Sequence, residues 1–170
     1  MSLLQISDPS KSNDDLKKFV VGIDLGTTNS LIASYDSELK LYKDNSSSLI
    51  PSVVSIDNNG DMHIGSSAIQ AYDDANTTQI TSIKRMMGLS YTDIKNLGYQ
   101  DDLTLVKSQN DLPCIAINNT EYSAIDISSK ILSHLKTLAE ADENKNLDVA
   151  VLTVPAYLDD IQSQATQNDS

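Results

Sequence analysis

The chain has 170 residues, 39% hydrophobic and 21% charged, with a net charge of −12; this is the composition of one folded domain or part of one, not of a disordered chain. Such acidity repels nucleic acid and anionic membrane surfaces, and no apolar run approaches membrane-spanning length. Cys114 is the single cysteine, which excludes an intramolecular disulfide and a cysteine-based zinc site; within PCIAI it reads as a buried structural thiol.

Residues 1–18 show no periodic pattern beyond one short apolar patch and read as a mobile arm. They lack the basic region with a long apolar run of a signal peptide and the Arg-rich character of a transit peptide, so the expected location is cytoplasmic. Residues 20–33 read VVGIDLGTTNSLIA. β-Branched runs on both sides of a small polar cluster predict strand, tight turn, strand. The turn offers the Asp24 carboxylate, Gly26, the hydroxyls of Thr27 and Thr28, and the Asn29 amide. Gly26 is expected at positive φ, so that successive N–H groups point into one concavity suited to phosphate oxygens. Asp24 would repel phosphate directly but could hold a hydrated Mg²⁺, which keeps several waters and takes one or two carboxylates. The same residues would also make a plain hairpin turn that binds nothing. Neither a Walker-type phosphate loop nor a G-x-G-x-x-G occurs in the chain.

Residues 39–42 alternate and predict a third strand. Residues 50–56 predict a strand with Pro51 at its start, where a missing donor is tolerated. The NNGD of 58–61 predicts a turn, followed by a short strand to Gly65 and a helix over 66–75. This succession implies a meander at one edge of a mixed sheet. In TSIKRMMG (81–88), Thr81 or Ser82 can cap a short helix and Gly88 can end it. Lys84 and Arg85 are either a solvated basic pair or, for Lys84, a cation placed against a triphosphate.

A short helix is predicted over 93–97, a strand over 103–106, and a hairpin from 114–117 to 121–122 across Asn118–Asn119. Ser123 and Asp126 form a weak capping box. It opens a helix to about Ala141 whose stripe is Ile127, Ile131, Leu135 and Leu138. His134 borders that stripe, and neither it nor His63 has metal-ligand spacing. Residues 147–154, LDVAVLTV, form the most apolar run and predict a strand covered on both faces. Pro155 closes it, and a helix is expected over 159–168.

Three strings carry a family resemblance: GIDLGTTNS, IKRMMG and VPAY, in that order. GIDLGTTNS resembles the first phosphate motif of the actin-like ATPases, and its full spelling resembles the DnaK-type heat-shock chaperones. The arm SLLQISDP is similar to the extension of their iron–sulfur-cluster-assembly branch, the HscA-like proteins. The resemblance implies an α/β, actin-like (ribonuclease H-like) fold, of which residues 19–170 would be the first lobe only, a mixed sheet with flanking helices. It implies ATP/ADP and Mg²⁺ as ligands, held by Asp24, Gly26, Thr27, Thr28 and Asn29, with Lys84 as catalytic lysine. It further implies Pro155 and Tyr157 as an interdomain relay, and a J-domain co-chaperone and an iron–sulfur scaffold protein as partners.

Departures gather at the end: Leu158 stands where the family has Phe, and Ser163 and Gln167 where it has basic residues. The family's second phosphate motif, adenosine motif and substrate-binding domain have no counterpart here. Half a nucleotide clamp is expected to bind ATP weakly and hydrolyse it negligibly, and to leave a strand edge and an apolar face exposed. Competing readings are an actin-like filament ATPase, a sugar kinase of the same superfamily, and a non-catalytic remnant.

Overall fold

β1 (Val20–Asp24) and β2 (Asn29–Tyr35) pair antiparallel, with Ile23 opposite Ile32 and Asp24 opposite Leu31. In this computed structural model the described residues are 18–72, 76–99, 103–108 and 110–153. The arm before Lys18, Pro155, Tyr157 and the helix expected over 159–168 lie outside them. Two short strands share the free side of β2: β3 (Leu39–Leu41) takes its far half and β4 (Ile50–Pro51) its beginning.

The single strand expected over 50–56 is two. After β4, Ser52 turns inward and its N–H donates to Thr28 O at 2.9 Å. β5 (Val54–Asp57) then joins β6 (Met62–Ile64) in a different sheet. α1 covers only Ser66–Gln70 of the helix expected over 66–75. β7 (Thr77–Ile80), which the sequence reading did not anticipate, pairs with β5. The strands from 54 to 80 therefore build a three-stranded sheet of their own rather than a meander at the edge of the first. A 3-10 turn follows at Ile83–Met86; Ser82 stands at its N-cap in the left-handed region (φ 52°) and makes no side-chain cap.

α2 (Tyr91–Asn96) opens on a full Ser90–Asp93 capping box. β8 (Leu105–Lys107), β9 (Pro113–Ile117) and β10 (Thr120–Ser123) form a third sheet. The β9–β10 hairpin crosses Asn118 and Asn119, both at positive φ (49° and 63°), as a two-residue hairpin turn requires. α3 (Ala124–Glu143) starts on the Ser123–Asp126 capping box and buries Ile127, Ile131, Leu132, Leu135 and Ala139, the i, i+4 stripe of an amphipathic helix. Each fully buried Ile or Leu in such a stripe contributes about 1.5–3 kcal/mol.

β11 (Val149–Leu152) lies parallel to β1 and completes the first sheet, in the order β11-β1-β2-β3. The inner face of that sheet, Val21, Ile23 and Ile32, is buried in the core that α3 joins. The outer face is open. Val20, Val149 and Val151 are 42%, 39% and 57% exposed, and a Cβ added at Gly22 meets nothing within 4 Å. The expectation that β11 is covered on both faces is thus corrected: among the described residues it is an edge strand with one strand neighbour and one packed face. Its latch to β1 is polar: the Asp148 carboxylate accepts from Phe19 N–H at 2.7 Å.

Candidate functional site

The chain between β1 and β2 folds as it does because Leu25 is buried (3% exposed). That anchor pulls the start of the turn into the core and leaves Asp24, before it, and Thr28 and Asn29, after it, on the surface. The far side of the turn is fixed by Ser52, whose N–H donates to Thr28 O and whose hydroxyl makes a buried pair with that of Ser30, Oγ to Oγ at 2.8 Å. Gly26 is required, but not for positive φ, which it does not have. A Cβ there would stand 2.0 Å from the carbonyl oxygen of Asn29. The turn doubles back so closely that only a hydrogen fits. The expected left-handed glycine is corrected to a glycine of close approach.

Among the described residues, the N–H groups of Gly26, Thr27 and Thr28 and the hydroxyls of Thr27 and Thr28 find no hydrogen-bond partner. Asp24 is exposed and accepts one hydrogen bond at Oδ1, from Thr153 Oγ1 at 2.7 Å. Lys84, half-buried, reaches across from the 3-10 turn and donates from Nζ to Leu25 O at 2.6 Å. The two motifs, 59 residues apart, therefore meet: one ammonium, one carboxylate, two hydroxyls and three amides around a single bend. Thr153 belongs to this group, and no local pattern pointed to it.

That donor set fits a phosphate chain with a hydrated Mg²⁺. Free N–H and O–H groups suit phosphate oxygens, and a single exposed carboxylate suits a cation that keeps its waters. A caged metal is a different case. Among the described residues no group of three or more His, Cys, Asp or Glu side chains stands where it could hold a metal ion. His134 does have a carboxylate partner that spacing could not reveal: Asp44 Oδ2 lies 3.4 Å from its Nε2. The same oxygen accepts from Ser66 N–H at 2.8 Å, so this pair ties α3 to the start of α1. A cavity of about 340 Å³ lies elsewhere, between α3 and β11, lined by Leu132, Lys136, Leu147 and Ala150 among others. It shares no residue with the turn.

The first hairpin of a mixed sheet thus carries a polar turn that a lysine from the 3-10 turn Ile83–Met86 reaches; the model of the Hsp70 protein family aligns with residues 20–170, and the chain belongs to that family. Among curated proteins it is 44% identical to the "Chaperone protein HscA" of Photorhabdus laumondii, over 99% of this chain and 28% of that protein. It is 40% identical to the "Chaperone protein HscA homolog" of Shewanella woodyi, over 99% and 27%, and 37% to that of Mannheimia succiniciproducens, over 99% and 28%. The chain thus spans a little over a quarter of the length of these relatives. Among the described residues no helix is long and apolar enough to cross a membrane.

Proposed function

We propose that this chain carries the first phosphate-holding turn of an ATP-dependent chaperone serving iron–sulfur cluster assembly, within an actin-like first lobe. The observation that carries the reading is the bend at 24–29, whose free amides and hydroxyls stand beside an exposed carboxylate and within reach of Lys84. Gly26, Thr27 and Thr28 would bind phosphate oxygens through N–H and O–H, with Asn29 at the exit of the bend. Asp24 would hold Mg²⁺ through its water shell. The metal supplies charge neutralisation along the phosphate chain. Lys84 would leave Leu25 O to stabilise charge developing at the terminal phosphate. Pro155 and Tyr157 remain candidates for an interdomain relay, and a J-domain co-chaperone and an iron–sulfur scaffold protein are the partners this reading expects.

The described residues supply one side of a nucleotide site, and one side offers few contacts against the entropy of association. This chain alone should therefore bind Mg-ATP weakly and hydrolyse it negligibly. Isothermal titration with Mg-ATP tests the binding half of that statement, and phosphate release at saturating nucleotide tests the other, with turnover no faster than buffer alone expected. Saturable binding weaker than micromolar is expected. No binding at millimolar nucleotide would remove the phosphate reading, and micromolar or tighter binding would remove the one-sided-site reading.

A further inference from the structure

The geometry points to Thr153 as a positioning residue for the Asp24 carboxylate, and through it for the magnesium of the bound nucleotide. This rests on the reading of Asp24 given above. Thr153 follows the last residue of β11 and touches the last two residues of β1. Its N–H donates to Ile23 O at 2.9 Å. Its hydroxyl donates to Asp24 Oδ1 at 2.7 Å and lies 3.4 Å from Ile23 O. A hydroxyl has one proton, and the short, charge-assisted bond to the carboxylate is the stronger use of it.

The backbone bond decides why this hydroxyl can position anything. Thr153 is an exposed residue at a strand end, where a side chain alone would order little. Its amide continues the parallel ladder that runs from Val20 opposite Val149 to Ile23 opposite Leu152. The ladder fixes the Thr153 main chain against β1, and its β-branched side chain has few rotamers. The hydroxyl is thereby held at the one oxygen of Asp24 that it reaches. The other oxygen, Oδ2, accepts no hydrogen bond among the described residues. One carboxylate oxygen is engaged to set the side chain, and the other stays available to a hydrated cation. An aspartate without that tether would sample its rotamers in water and hold the cation only in some of them.

Two variants and one coupling measurement test this in the full chain. Thr153→Val keeps the shape and the ladder amide but removes the hydroxyl; Thr153→Ser keeps the hydroxyl. Nucleotide affinity is read from amide shifts of residues 24–29, with ATP in Mg²⁺ and with ATP in EDTA. The Val variant should lose about three- to tenfold in the Mg²⁺ arm, the range of one hydrogen bond to stability or binding. Its EDTA arm should be unchanged, and the Ser variant should restore the Mg²⁺ arm. A merely structural threonine would weaken both arms together. A Val variant with the wild-type Mg²⁺-to-EDTA ratio, while the wild type is Mg²⁺-dependent, would overturn the positioning role alone. A wild type with no Mg²⁺ dependence would overturn the reading of Asp24 and this inference with it. Side-chain coupling constants of Asp24 in the unsubstituted chain serve if the Val variant does not fold: one rotamer is expected, and averaging among rotamers would overturn the role.

Discussion

Two aspartates in this chain end a strand and lead into a polar turn, and they are used in opposite ways. Asp57 closes β5 before NNGD. Its Oδ1 accepts from the N–H groups of Asn59 at 2.8 Å and Asp61 at 2.9 Å. Gly60 in that turn takes φ 89°. Those amides, Asp61 first, hold the Asp57 carboxyl below the usual carboxylate range. Asp24 closes β1 before LGTTN. Its turn donates nothing to it; among the described residues its one partner comes from Thr153, 129 residues away. In the 58–61 turn three of the four N–H groups go to Asp57, those of Asn59 and Asp61 to its carboxylate and that of Gly60 to its carbonyl, and the Asn58 N–H goes to Asn76 O, whereas the 25–28 turn leaves three N–H groups and two hydroxyls without partners among the described residues. A turn that keeps its donors free at the surface is poised for an outside ligand, and polar composition alone does not separate the two.

The comparison breaks most visibly at glycine. Gly26→Ala should destabilise the chain by about 1–3 kcal/mol, the cost of forcing atoms into filled space, and should abolish Mg-ATP binding as the bend opens. Gly22→Ala, in open space on the outer face of the same hairpin, should stay within about 0.5 kcal/mol in thermal unfolding. Equal effects at the two positions would show that the close approach of Gly26 to Asn29 O is not what shapes the site.

The two carboxylates should then separate function from stability. Asp24→Asn should lose the Mg²⁺-dependent part of nucleotide affinity by tenfold or more, the loss of a charged ligand being worth at least about 1.4 kcal/mol, with the melting temperature little changed. Asp57→Ala should lower the melting temperature and leave nucleotide affinity intact. The reverse pattern would exchange the roles assigned here.

A smaller effect is expected in acid. The carboxyls of Asp57, Asp93 and Glu143 are all held low: by the Asp61 and Asn59 amides, by Ser90, and by Lys40 and Tyr42 respectively. A group with a depressed folded pKa adds stability that is present above the unfolded carboxylate range, near pH 4, and is lost as pH falls through it. Unfolding followed against pH should show stability declining below about pH 4, with a shallower slope in Asp57→Ala. An unchanged slope would mean that the Asp57 turn is not formed in solution.

Local signals in the sequence predicted local structure well. The β1–β2 hairpin and the Asn118–Asn119 turn rest on contacts within a few residues and are present where expected; the α3 stripe was legible from its spacing alone, with Ile127, Ile131 and Leu135 buried as expected, Leu138 half-buried, and Leu132 and Ala139 buried beside them. What escaped was set by distant partners. The TTQI of β7 has no apolar alternation; it is a strand because Val54, Ser55, Ile56 and Asp57 offer it a ladder. The run 50–56 looked continuous because nothing local shows that Ser52 will hydrogen-bond to Ser30 and Thr28. β11 looked buried on both sides because apolar content does not say how many neighbours a strand has. In the site, the bend's own residues were legible from their chemistry. That Lys84 comes to the bend was implied only by family resemblance, while its bond to Leu25 O and the tether from Thr153 to Asp24 followed from neither.

The most direct test of the account replaces Mg²⁺ by Mn²⁺ in the nucleotide complex and reads paramagnetic broadening of amide signals along the chain. Broadening centred on residues 24–29 and extending to Lys84 and Thr153, with the Asp57 turn untouched, is the expected result. Broadening centred on the 57–61 turn, or spread without a centre over the acidic surface, would contradict the claim that the free-donor bend is where this chain holds its ligand.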